Sequence, residues 1–154
     1  MGAERNDLAN SVGLLILRLG AGGYLVTHGW GKLQMVIAGD FGKFGDPIGL
    51  GSGASLVLVT AAEFLCPLLV MAGFATRFAV FPVVFAMAVA AFVAHGADPW
   101  TMGEGARLFL AGKAKSWASR EPALLYLVPF LALAFTGAGR FSIDAWIRSH
   151  RRRR

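Results

Sequence analysis

Residues 17–33 read LRLGAGGYLVTHGWGKL, an apolar, glycine-rich run with an arginine near its start and a histidine, a tryptophan and a lysine at its close. An ionised side chain at the centre of a membrane-spanning helix costs about 3 kcal/mol on insertion scales, so Arg18 needs a partner. The nearest carboxylate of the right kind is Glu63, in the middle of the next apolar run. Counting at 1.5 Å per residue puts Arg18 roughly 10 Å and Glu63 roughly 18 Å deep, a gap that a long arginine side chain can bridge. The expectation is an intramembrane Arg18–Glu63 pair. It is either a clamp between two helices or a polar site for a headgroup, a quinone oxygen or a small anion.

Helical periodicity gives the other polar residues of this stretch a common side. At 100° per residue Lys32 falls about 40° from Arg18, and His28 about 80°. One face therefore carries Arg18, Gly22, Leu25, His28 and Lys32, and ionisable groups place that face toward the protein interior. Gly20, Gly22 and Gly23 would weaken a helix in water; in lipid, small residues let a neighbouring helix come close.

Outward from this run the composition fixes the class. Hydrophobic residues make up 56% of the 154 and charged residues 16%, with a mean hydropathy of +0.58. A water-exposed domain of that size needs more polar surface, so the apolar side chains face lipid. Apolar runs at about 11–30, 54–75, 77–95 and 121–138 are each near membrane-spanning length. The fold expected is all-α, an integral membrane antiparallel four-helix transmembrane bundle. It forms a single domain over 1–147, followed by a basic tail at 148–154.

Asn10 or Ser11 is placed to cap the first helix. Residues 31–53 are too rich in glycine to span, yet carry Phe41, Phe44, Ile48 and Leu50; they read as an interfacial lid over one end. In the second helix Thr60, Glu63, Cys66 and Pro67 share a side. Pro67 should kink it and free the Glu63 carbonyl for a donor such as Arg18. Gly73 and the short FATR link enforce an antiparallel turn. The third helix has small residues at Ala86, Ala88, Ala90, Ala91 and Ala94, a close-packing face, and its AHG exit repeats the His-Gly ending of the first helix, THGW. Helices one and three then run parallel, which brings His28 and His95 to one side of the membrane. A second loop, 96–120, lies on that side between Trp100 and Trp117, and Glu121-Pro122 opens the fourth helix.

The net charge of +6 does not point to nucleic acid. Six of the fifteen basic residues lie between Arg140 and Arg154, beside an apolar helix, where anionic lipid headgroups are the natural contact. The flanks on the side of the termini hold eight lysines and arginines against six on the other. By the positive-inside rule both termini are cytoplasmic, and Arg151–Arg154 decide that balance. Cys66 is the single cysteine, which excludes an intramolecular disulfide and a thiolate metal site. His28, His95 and Glu121 converge at the loop end and suit proton relay or hydrogen bonding to headgroups. No H-x-x-H or H-E-x-x-H spacing supports a metal. No phosphate loop, dinucleotide fingerprint, nucleophile triad or haem motif is present.

Taken together, LRLGAGGYLVTHGWGKL, AAEFLCPLLVMAGFATRFA at 61–79, FVAHG at 92–96 and EPALLYLVPFLALAFTGAGRFSID at 121–144 resemble the DoxX family of small bacterial four-helix membrane proteins. The resemblance spans about 14–147 and carries over Arg18, His28, Lys32, Glu63, His95 and Glu121 as a polar track. It adds Arg140 and Asp144 as a structural polar exit. It implies a membrane subunit of a quinone-linked redox complex, tied to thiosulfate or thiol chemistry or to oxidative stress, in the bacterial cytoplasmic membrane. A quinone is the implied cofactor, and the implied partners are membrane lipids and a redox protein; a homo-oligomer is compatible with it. The rival readings are a carrier or receptor for a lipid or small amphipathic molecule, and a non-catalytic scaffold.

Overall fold

A computed structural model describes residues 2–151, with side chains from residue 7; the arginines at 152–154 lie outside the described residues. The described residues form helices and no strands. We number them α1 (Gly2–Ala38), α2 (Ser52–Ala72), α3 (Thr76–Ala94), α4 (Met102–Leu110), α5 (Glu121–Thr136) and α6 (Ile143–Arg151). α1, α2 and α3 are long and apolar enough to cross a membrane. α5 is equally apolar but has 16 residues, about 24 Å against a hydrocarbon core of about 30 Å. Pro122 sits in its first turn and Gly137, at φ 73°, closes it.

α1 is much longer than the 11–30 expected, 37 residues. It has no cap at Asn10 or Ser11, because the helix is already running there. Ser11 is instead buried and accepts a hydrogen bond from the Arg140 backbone N–H at 3.4 Å. At its other end α1 continues through Gly31 to Ala38, so the expected lid is shorter. Residues 39–51 remain as the loop, with one 3-10 turn at Phe41–Lys43.

α2 is antiparallel to α1, with a register readable from side-chain contacts. Arg18 meets Val70 and Met71, Gly22 meets Met71 and Pro67, and Gly29 meets Glu63. The α2–α3 turn follows from Gly73 at φ 68° and Ala75 at φ 47°, both left-handed. α2 packs along α1 and α5 along α3, and Leu25, Val70, Val80, Val83, Phe130 and Leu133 make the shared core. Outward, Phe78 is 80% and Phe135 77% exposed, an apolar surface that only lipid suits.

Two π-turns interrupt the spanning helices, Ala61–Leu65 in α2 and Ala90–Ala94 in α3. The first has a covalent cause. Pro67 has no N–H to offer the Glu63 carbonyl, and the Cys66 N–H reaches back five residues to Ala61. Contrary to the expectation, the freed carbonyl does not serve Arg18; the bare α-carbon of Gly29 lies against it.

Candidate functional site

The structure separates the polar residues of α1 into two groups. Arg18 and Gly29 are eleven positions apart, about 17 Å along the helix, and Glu63 sits at the level of Gly29. The expected Arg18–Glu63 pair is therefore not formed.

Arg18 is fully buried. Its guanidinium donates to the carbonyls of Val70 (3.4 Å) and Met71 (3.5 Å) at the end of α2, and to the carbonyl of Phe141. The last carbonyls of a helix lack intrahelical donors and carry the negative end of its dipole, so a cation there is stabilising. Gly73 leaves the space that the guanidinium needs, since a Cβ there would collide with it and with Ser142. Asp144 does the complementary task at the start of α3, accepting from the N–H groups of Ala75 (2.8 Å) and Thr76 (3.0 Å). Its own N–H donates to the Gly73 carbonyl at 2.9 Å. Arg18 and Asp144 thus fasten the α2–α3 turn to α1 and to the C-terminal segment. Arg140 contributes its backbone; its side chain is exposed.

At the loop end Glu63 pairs with Lys32. The Glu63 side chain is 6% exposed and that of Lys32 24%. An ammonium carries three donors, so Lys32 keeps two N–H groups beyond the one given to Glu63. The pair stands where two cavities meet. One, of about 650 Å³, lies between α2 and α3 under the loop residues Phe44, Asp46 and Ile48. Its walls are apolar, and its rim includes Leu58 and Phe85, 53% and 61% exposed on the lipid-facing surface. Ala86, Ala90 and Ala94 line it. Part of the small-residue face of α3, expected to pack closely, makes room instead, because each alanine withholds the bulk that would fill the gap between the helices.

The second cavity, about 330 Å³, lies between α1, α3 and α5 below residues 117–119. It shares Lys32, Glu63, Ala90 and His95 with the first. His28 lines it, edge-on to Tyr126 with ring centroids 5.6 Å apart. Both histidines therefore emerge at one end and line the same cavity. His95 Nδ1 bonds the Asp98 carboxylate at 2.7 Å. Glu121 is committed elsewhere, accepting from the Met102 N–H at 2.7 Å at the start of α4. No group of three metal-ligating side chains gathers among the described residues.

Two residues at this end, Arg120 and Asp46, carry no mark in the sequence pattern. Arg120 donates to the carbonyls of Gly96 and Asp98 and lies 4.5 Å over the Trp100 ring, tying the exit of α3 to the start of α5. Asp46 accepts from the Ser55 hydroxyl (2.7 Å) and the N–H groups of Gly51 (2.7 Å) and Leu50 (3.0 Å). These bonds, the Ser55 hydroxyl first, hold its carboxyl below the usual range. Asp46 thereby ties the loop to the first turn of α2, whose own N-cap residue is Gly51.

Comparison with known proteins places this arrangement. No curated protein and no solved structure matches the chain. The family model for DoxX matches residues 13–96, just over half of the 154. The matched segment holds Arg18, His28, Lys32, Glu63 and His95, whereas Glu121, Arg140 and Asp144 fall outside it. The chain is an all-α integral membrane protein and belongs to the DoxX family.

Proposed function

We propose that the protein is a membrane subunit that takes a quinone-sized amphipathic molecule from the lipid into the cavity between α2 and α3. The polar head of that molecule is held by Lys32, Glu63 and His95. The observation that carries this is the position of the Lys32–Glu63 pair at the inner end of a mostly apolar cavity whose rim residues Leu58 and Phe85 are exposed on the apolar surface. A volume of about 650 Å³ lies within the range of small-molecule sites, which combine apolar walls with a few converging polar groups. Both spare N–H groups of Lys32 suit a carbonyl or phenol oxygen. Redox chemistry would come from the quinone and a partner protein, with this chain supplying binding and orientation. In this reading the chain sits in the bacterial cytoplasmic membrane with both termini inside.

The test is titration of detergent-purified protein with a short-chain ubiquinone and its quinol. Binding of either, weakened about tenfold or more by Lys32→Met and by Glu63→Gln, supports the reading. The lipid-facing rim also favours a second reading, a carrier or receptor for an amphipathic lipid. Saturable lipid binding with no binding of either quinone form would replace the first with the second.

A further inference from the structure

The Lys32–Glu63 pair raises a physical question. Moving a carboxylate and an ammonium out of water costs several kcal/mol each, and their mutual attraction offsets this only with further hydrogen bonds. Within the described residues the Glu63 carboxylate has one side-chain donor, Lys32. One flank of the pair opens on an apolar cavity beside lipid. The other opens on the smaller cavity, and there the wall changes character.

Three features set that second cavity apart. Ser119, 6% exposed, has a buried hydroxyl with no hydrogen-bond partner in its wall. An unmet hydroxyl costs about 1–3 kcal/mol, so such groups are normally satisfied by protein or by water. His28 and Tyr126 add further polar groups. Finally, its lining reaches Met102 and Trp117, which are 52% and 71% exposed on the loop side. A space of about 330 Å³ with several polar partners meets the requirements for ordered water, and holds on the order of ten molecules. A lipid chain in the same space would leave Ser119 and the ion pair without partners.

We infer that this second cavity is an aqueous vestibule, which brings water from the loop side of the membrane to the Lys32–Glu63 pair. Lipid and water then reach the same two side chains from opposite flanks, and the pair is the partition between them. This goes beyond occupancy of the larger cavity and holds whichever molecule binds there.

Substituted-cysteine labelling tests it. In a Cys66→Ala background, single cysteines are placed at Ala118 and Ala123 in the vestibule wall. Trp117→Cys serves as the loop-side surface control and Phe85→Cys as the lipid-facing control. Protein in vesicles is treated with a membrane-impermeant, negatively charged methanethiosulfonate on the side where Trp117→Cys reacts. Thiol reactivity requires the thiolate and access for the reagent. Both vestibule cysteines should react within about tenfold of Trp117→Cys, and Phe85→Cys about a hundredfold more slowly. Rates at both wall positions as slow as at Phe85→Cys, in protein that elutes as a single folded species, would overturn the vestibule. So would reaction of either wall cysteine only from the opposite face. Two wall positions keep the test decisive where one variant fails to fold.

Discussion

Gly29 rests its α-carbon directly on the peptide of Glu63, so no side chain fits between α1 and the π-turn of α2. The contact sets the height of Glu63 and therefore its pairing with Lys32, one turn along the same face. Gly29→Ala must push backbone against backbone, and overpacking of this kind costs about 1–3 kcal/mol. Gly20 has no atom within 4 Å of the equivalent position, so Gly20→Ala should be neutral or stabilising by up to about 1 kcal/mol. Thermal unfolding in detergent would separate the two; equal effects would remove the argument for close approach at Gly29.

The same geometry assigns different partners to Arg18 and Lys32, the buried and half-buried cations of α1. Groups in contact show coupling of about 0.5–3 kcal/mol in double-mutant cycles, and groups more than about 7–10 Å apart add independently to within about 0.5 kcal/mol. A cycle on Lys32→Met and Glu63→Gln should therefore show strong coupling. One on Arg18→Met and Glu63→Gln should show none. Coupling between Arg18 and Glu63 above about 1 kcal/mol would contradict the register of α1 on α2.

The height of Glu63 and the acceptors of Arg18 mark where the sequence could be read and where it could not. The interior face of α1 was legible in part: Arg18, Gly22 and Leu25 are buried and Lys32 is half-buried and reaches Glu63, as periodicity groups them, whereas His28, about 80° from Arg18 on that face, is exposed. The partner of Arg18 was not legible, because its acceptors are main-chain carbonyls of Val70, Met71 and Phe141, and a carbonyl looks the same in every residue. Relative height between helices depends on the lengths of α1 and the turn, and Gly31 hid the first by resembling a helix end. The alanines of α3 have two physical meanings, close contact or empty space, and only the position of α2 distinguishes them at Ala86 and Ala90. Asp46 was not legible, because its partners are loop amides and a hydroxyl nine positions away, which no short spacing marks.

Loop 39–51 should loosen in acid through Asp46. Its carboxyl titrates below the unfolded value of about 3.9, so ionisation favours the ordered loop above that value. The contribution is lost as pH falls from about 4 through the lower folded value. Hydrogen exchange at the Leu50 and Gly51 amides, both donors to Asp46, should accelerate over that window relative to helical amides. In Asp46→Asn the acid step should be absent. An unchanged step would assign it to another group.

The size of the larger cavity, not only its charged end, should determine binding. Ala86 lines it beside Phe85 and Val89 and packs partly against the core. Ala86→Leu adds three carbons into open space, and filling a void restores dispersion contacts that its lining lacks. The variant should keep or slightly raise its unfolding temperature while losing about tenfold or more in affinity for the quinone probe, equivalent to about 1.4 kcal/mol. Glu63→Gln should weaken binding by removing the pair's charge, with the cavity shape retained. The two variants therefore separate shape from charge. Full affinity in Ala86→Leu would move the ligand out of the space between α2 and α3, and leave Lys32 and Glu63 to be explained from the loop side alone.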